Sequence, residues 1–230
     1  MKYAYLLIHL FTIAYPLAQS FEKRIHFVDK WKYIFQSLIP TSFVFIIWDC
    51  WFTSLNVWKF NPEYLIGFYI ANLPIEECMF FFVAPFSSIF IYEVLNYFVK
   101  KDILGKYATS IALLLAALSA LVSVLNYAKI YPLILFGLLS LVLLIHALII
   151  KADYLGRFFL SFMVVIIPFL IVNGLLTSLP IVIYNDEKTL GIKIINTIPL
   201  EDLFYGLLLL LINITIYEWL KRKDMAKASE

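Results

Sequence analysis

The sequence predicts an all-α integral membrane protein of about seven transmembrane helices, built as two parallel three-helix repeats around a linking helix. Three observations carry that reading. Of the 230 residues, 63% are hydrophobic and the mean hydropathy is +0.90, far outside the range of a water-soluble domain. The apolar residues fall in long runs, and crossing a hydrocarbon layer of about 30 Å takes roughly 20 helical residues. The second half of the chain also copies the first at a separation of 124 to 125 residues.

The runs cover residues 3–20, 33–53, 73–98, 108–127, 131–150, 157–180 and 199–220. Lipid offers no water to unpaired backbone groups, and these runs are too long and too continuously apolar for barrel strands, so they read as helices. The first resembles a leader peptide, with Lys2 ahead of it and Ala18 as a cleavage position. Removing it would invert the charge pattern downstream, so it is read as a retained helix. Thirteen of the 18 Lys and Arg residues fall in loops on one side, among them Lys23, Arg24, Lys100, Lys101, Lys151 and Arg222; Lys2, Lys59, Lys129, Lys188 and Lys193 fall on the other. The positive-inside rule then puts the N-terminus outside and the C-terminus in the cytoplasm, in the cell (inner) membrane. A net charge of +2 gives no reason to expect a nucleic-acid partner. Cys50 and Cys78, the only cysteines, have no metal or redox spacing and read as packing residues.

The duplication is ordered. Asp49 through Leu55 aligns with Asn173 through Leu179, and Asn61 through Gly67 with Asn185 through Gly191, both at 124. One inserted residue then shifts the frame, so that Pro74-Ile-Glu76-Glu77 matches Pro199-Leu-Glu201-Asp202 and Ile91-Tyr92-Glu93 matches Ile216-Tyr217-Glu218 at 125. The units are residues 1–105 and 129–230, with a linking helix within 106–128. Parallel repeats relate by an axis along the membrane normal, and their sites form where the units face each other. His9 and His146 share Leu-Leu-Ile-His out of the repeat frame, a coincidence on this reading.

Seven acids lie in or beside the spans: Asp49, Glu76, Glu77, Glu93, Glu201, Asp202 and Glu218. An Asp at a helix centre costs roughly 2.5–3.5 kcal/mol on insertion scales, so function is the default explanation. Pro74 and Pro199 suit the first helical turn, and two acids follow each within it. An acid there can simply complement the helix dipole, worth about 0.3–1 kcal/mol. The same Pro-x-Glu-acid quartet twice, with no Lys or Arg in the outer half to pair it, argues for more. Adjacent helical residues stand about 100° apart, so one acid of each pair faces the centre and the other supports it. Convergent carboxyls in a low dielectric do not all ionise, which supplies a proton donor beside a proton acceptor. Asp49, Glu76, Glu77, Glu201 and Asp202 are therefore the candidate catalytic residues. Glu93 and Glu218, about four turns further on, read as inter-repeat hydrogen-bonding groups, with Lys100 and Arg222 near enough in sequence to pair with them.

Aromatic residues crowd the same ends. Trp58 and Tyr64 read as an interfacial belt. Trp48, Trp51, Phe52, Phe80, Phe81, Phe204 and Tyr205, with Asn173, are the candidate substrate-binding residues. Aromatic faces attract cations, by up to about 2 kcal/mol when desolvated, and an acid flanked by them in an apolar cavity is what protonation of an alkene requires.

These motifs resemble the membrane-embedded lycopene cyclases, known as two-subunit and as fused single-chain enzymes. The likeness rests on Trp48-Asp49-x-x-Phe52-Thr53, Val57-Trp58-x-Phe60-Asn61-Pro62, Leu73-Pro74-x-Glu76-Glu77, Pro168-Phe169-x-x-x-Asn173-Gly174, Pro199-x-Glu201-Asp202 and Tyr217-Glu218, and this chain is similar to the fused form. The resemblance implies lycopene or a related acyclic carotene as substrate, acid-catalysed β-ring closure, and no flavin, nicotinamide or metal. The Gly-x-Gly-x-x-Gly fingerprint of dinucleotide-binding cyclases is absent from the sequence. The sequence leaves the oligomeric state open, although a single chain holding both halves could suffice as a monomer.

Two other readings share the buried acids. In a carotenoid hydratase, water captures the cation instead of the internal alkene. A proton-coupled transporter would place its acids near the midplane on broken helices, whereas these stand at helix starts. The last span has no Lys between Glu201 and Lys221, which excludes a Schiff-base chromophore there, and the chain has no Asp-Asp-x-x-Asp motif of the metal-dependent prenyltransferases.

Overall fold

The computed structural model describes residues 2–228; Met1, Ser229 and Glu230, at the ends of the two expected units, lie outside the described residues. Each expected span is a helix. In chain order the elements are α1 (Ala4–Gln19), α2 (Trp31–Ser54), β1 (Trp58–Phe60), β2 (Tyr69–Ile70), β3 (Leu73–Pro74), α3 (Ile75–Phe98), α4 (Ala108–Leu125), α5 (Ile130–Leu144, continued as a π-helical stretch Ile145–Ile150), α6 (Leu155–Ser178), β4 (Val182–Tyr184), β5 (Lys193–Ile194), β6 (Ile198–Pro199) and α7 (Leu200–Ala228). Six of these helices, among the described residues, are long and apolar enough to cross a membrane. The first is shorter than expected: its 16 residues reach about 24 Å at 1.5 Å each. The protein is an all-α multi-pass membrane protein, and the count of seven full crossings is approximate.

Prolines inside α1 and α3 each release a carbonyl four residues back, and in lipid that group needs a partner. Neighbouring helices supply it. Pro85 frees the Phe81 carbonyl, which accepts a 2.8 Å hydrogen bond from the Ser42 hydroxyl of α2. Pro16 frees the Thr12 carbonyl, which accepts from the Ser87 hydroxyl of α3 at 3.2 Å. These proline positions are thus also joints between helices.

The repeat frame recurs in the elements. Helix α6 starts and ends 124 residues after α2, β4 follows β1 and β5 follows β2 at 124, and β6 and α7 begin 125 residues after β3 and α3. The inserted residue lies in a hairpin turn: β2 and β3 are joined by Ala71–Asn72, whereas β5 and β6 are joined by the three residues 195–197. Strands β1 and β4 pair antiparallel, with Trp58 opposite Tyr184, Lys59 opposite Ile183 and Phe60 opposite Val182. Two copies of one segment paired about their own midpoint define a local two-fold axis. Flanking bonds obey it: Asn61 N–H donates to the Ile181 carbonyl and Asn185 N–H to the Val57 carbonyl, both at 2.9 Å.

The same exchange occurs at the opposite end of the helices. The Tyr92 hydroxyl donates to Glu218 at 3.0 Å and the Tyr217 hydroxyl to Glu93 at 2.7 Å. Each glutamate thereby ties one unit to the other. The expected cation Lys100 is not their partner; its ammonium lies over the Tyr97 ring. Glu93 instead takes Lys30 and, at 3.0 Å, Lys221, and Glu218 takes Lys221 at 3.2 Å and Arg222 at 3.8 Å. Lys30 precedes α2 and Lys221 stands late in α7, so the chain returns to this end from distant points. His9 and His146 have unrelated settings, against the Glu76 carbonyl and Thr215 respectively. Cys50 is half-buried and Cys78 buried, both unpaired.

Candidate active site

The site is built where the β3–α3 and β6–α7 junctions enter the membrane. Pro74 holds an extended conformation just before α3, and Pro199 closes β6 just before α7, so the acids of both quartets fall in a first helical turn. Glu76 turns back to the loop, where one oxygen accepts the Ile66 N–H at 2.7 Å. Glu201 accepts the Leu190 N–H, the equivalent donor. Gly67 and Gly191 follow those donors with φ of +94° and +78°, left-handed values that cost glycine nothing. Glu76 and Glu201, both candidate catalytic residues by sequence, therefore pin a loop to a helix start and do not line the cavity described next. Replacing Glu76 by Ala is expected to remove the tie to the Ile66 N–H, at a cost of about 0.5–1.5 kcal/mol, the net worth of a typical hydrogen bond. Thermal unfolding in detergent checks this, with Glu76→Gln, which keeps an acceptor oxygen, expected to lose less.

Glu77 and Asp202 turn the other way, into a cavity of about 540 Å³ between the units. That volume lies within the roughly 300–1,000 Å³ typical of ligand sites. Each carboxyl takes a phenol from the first helix of its own unit: Tyr5 donates to Glu77 at 2.6 Å and Tyr131 to Asp202 at 3.0 Å. The two-fold then breaks down. Asp202 also accepts from Tyr184 at 2.7 Å, whose counterpart is Phe60. Asp49, the third carboxyl of the cavity, accepts from Tyr205 at 3.1 Å, whose counterpart is Phe80. Asn173, the counterpart of Asp49, also lines the cavity but donates to the Phe169 carbonyl at 3.2 Å. A symmetric frame thus carries an asymmetric set of polar groups. Among the described residues, no Lys or Arg forms an ion pair with any of the five candidate acids. Tyr184, on β4 outside the spanning helices, has its phenol held well above its ordinary value by burial and then by the Asp202 charge, so it remains a hydrogen-bond donor.

Of the expected substrate-binding residues, Phe80, Asn173 and Tyr205 line the cavity. Trp48, Phe52 and Phe81 are buried behind it: Trp48 meets Tyr205 with ring centres 5.4 Å apart, Phe52 stacks on Trp58 at 5.5 Å, and Phe81 lies 5.7 Å from Phe80. Trp51 is 46% exposed, and Phe204 packs on Phe136 of α5 at 5.0 Å. Trp58, expected in an interfacial belt, is buried and faces the cavity. Sequence reasoning missed Tyr5, Tyr131, Tyr184, Trp58 and Phe60. Tyr5 and Tyr131 stand at equivalent places in the first helix of each unit, so carrying the self-comparison into α1 and α5 would have found them. Tyr184 has no tyrosine counterpart and gave no such signal.

This arrangement can protonate an apolar molecule. Three carboxyls with different phenol partners meet in a cavity walled mainly by aromatic and aliphatic groups, where a low dielectric strengthens every charge interaction.

A family model described as Lycopene cyclase matches residues 2–95 and 128–220. Among curated proteins, the chain is 32% identical over 107 residues to a bifunctional lycopene cyclase/phytoene synthase of Podospora anserina, covering 42% of this chain and 16% of that protein. It is 30% identical over 135 residues to a protein of the same description from Gibberella fujikuroi, covering 54% of this chain and 23% of that one. A third, from Neurospora crassa, is 28% identical over 94 residues, covering 38% of this chain and 13% of the relative. The chain thus spans less than a quarter of the length of these relatives. No solved structure matches it.

Proposed function

Because the chain belongs to the lycopene cyclase family, we propose that it is a lycopene β-cyclase, an isomerase that closes the ψ-ends of lycopene or a related acyclic carotene into β-ionone rings. The observation that carries this reading is the meeting of Asp49, Glu77 and Asp202 in one aromatic-lined cavity at membrane depth. A carotene arrives dissolved in the bilayer, and such a cavity meets it there.

The reaction needs one proton in and one proton out. A carboxylic acid, Glu77 with Asp49 beside it in the cavity, adds its proton to C2 of the terminal alkene and leaves a tertiary cation at C1. The C5–C6 alkene attacks C1, which forms the C1–C6 bond and moves the cation to C5. Asp202 then takes the C6 proton, and its electron pair forms the C5–C6 double bond. Asp202 suits that acceptor role because two phenols already donate to it. The faces of Phe80, Trp58 and Tyr205 steady the travelling cation. No electron is gained or lost, so the reaction itself calls for no redox cofactor.

In this reading residues 1–105 and 129–230 are the two cyclase units and the helix within 106–128 links them; the gap between the matched segments, 2–95 and 128–220, supports that division. The chain lies in the cell (inner) membrane with its N-terminus outside and its C-terminus in the cytoplasm, as the loop charges favour.

Expression in bacterial cells that accumulate lycopene tests the proposal. Extracted pigment is expected to contain γ-carotene or β-carotene. Unchanged lycopene beside well-folded protein in the membrane counts against a cyclase, and a hydroxylated product would point to a hydratase.

A further inference from the structure

The carboxyls occupy only one end of the cavity, and the remainder is a groove. Along α3 the lining residues are Glu77, Phe80, Ala84, Ser87, Ser88, Phe90 and Ile91, and all but Phe90, at the margin, are spaced three, four, three, one and three residues apart. That spacing keeps them on one face of the helix, and fourteen residues at 1.5 Å span about 21 Å. Helix α6 runs alongside from Thr177 to Phe162 and supplies a facing wall of similar length. Helix α1 forms the other wall, with Phe11 71% and Tyr15 67% exposed at the rim. The groove therefore runs on from the proton-transfer end, long and mostly apolar, with the exposed rings of Phe11 and Tyr15 at its rim.

The equivalent positions of the second unit carry larger side chains. Leu209, Ile212 and Asn213 stand where the first unit has Ala84, Ser87 and Ser88, and Leu209 and Asn213 are buried. Leu209 lines the same cavity from the α7 side, so α7 narrows it where the small residues of α3 leave room. A long groove that ends at the carboxyls suits a rod-shaped ligand held by one end.

We propose that the α1–α3–α6 groove, floored by Ala84 and Ser88, is the subsite for the polyene chain of the substrate, entered sideways from the bilayer with one ψ-end against Asp49, Glu77 and Asp202. The proposal rests on the cyclase reading above and adds to it where the unreacting part of the molecule lies. Only one end group reaches the carboxyls at a time, so a second ring forms after the one-ring product has left and re-entered reversed.

The test compares lycopene with a truncated ψ-ended polyene too short to reach Ala84, on the purified full chain and on Ala84→Leu and Ser88→Leu. Ala84→Leu installs the residue that the second unit carries at this position. Small changes of apolar volume in a pocket alter turnover by roughly 10–200-fold, so each variant is expected to lose about tenfold or more on lycopene and less than about twofold on the truncated polyene. Turnover of the short substrate doubles as the check on folding. The groove assignment is overturned if lycopene turnover is unchanged in both variants, as it would be if lipid acyl chains fill the groove, or if both substrates fall by the same factor in both. Inactivity of the unaltered chain on both substrates overturns the cyclase reading and the groove with it.

Discussion

Glu77→Gln and Asp202→Asn are each expected to lower ring formation by about 10²–10⁴-fold, the usual contribution of a positioned acid or base, while leaving the protein folded in the membrane. Both changes keep the shape and an oxygen that can accept the phenol hydrogen, from Tyr5 in one case and from Tyr131 and Tyr184 in the other. What they remove is the exchangeable proton or the negative charge. The contrast with the adjacent pair is the informative part. Glu76→Gln and Glu201→Gln alter carboxyls that pin the Ile66 and Leu190 amides and do not line the cavity, so their effect is expected to fall mainly on stability. Initial rates with solubilised carotene, measured beside thermal unfolding of the same four variants, separate the two kinds of loss. Equal rate losses in all four would remove the distinction between cavity-facing and loop-pinning acids.

The largest stability effect is expected at the other end of the helices. Glu93 is 4% exposed and joins Lys30, Lys221 and Tyr217, so Glu93→Ala leaves the Lys30 ammonium without its carboxylate and Lys221 with Glu218 alone. Removing one partner of a buried pair costs about 3–5 kcal/mol. Lys30 and Lys221 retain side-chain exposures of 26% and 23% and can turn toward water, which brings the expected loss down to roughly 2 kcal/mol. Because Glu93 also ties unit to unit through Tyr217, that loss is expected to appear as a lower midpoint for the whole chain in thermal unfolding in detergent. An unchanged midpoint would mean that this network contributes nothing net.

Much of this fold can be read in the sequence because lipid narrows the choices. A chain that must satisfy its own backbone hydrogen bonds crosses as helices, and the run from 73 to 98 reads as one from hydropathy alone. The duplication added the relation between units, since equivalent acids had to enter the membrane at equivalent depth. Where the reading failed, neighbours in sequence were not neighbours in space. Trp48 adjoins Asp49, yet the helix turns it about 100° away and onto Tyr205. Phe52 shares a helix face with Asp49, but Trp58 and Tyr131 pack against it. Which of Glu76 and Glu77 faces the cavity depends on an amide ten residues upstream, held by a left-handed glycine turn, and no local pattern encodes that choice. The short reach of α1 was hidden too, because the apolar run continues through residues that only begin or end the helix.

The measurement that tests the central claim most directly is cyclisation of lycopene by the purified chain in heavy water, read by mass spectrometry and deuterium NMR of the product. Proton addition from a solvent-exchanged carboxyl predicts one retained deuterium per ring, at C2, with no added oxygen, and loss of the rings in Glu77→Gln and Asp202→Asn. Rings formed without deuterium would contradict proton-initiated closure, and a product carrying an added water would assign the cation to solvent capture.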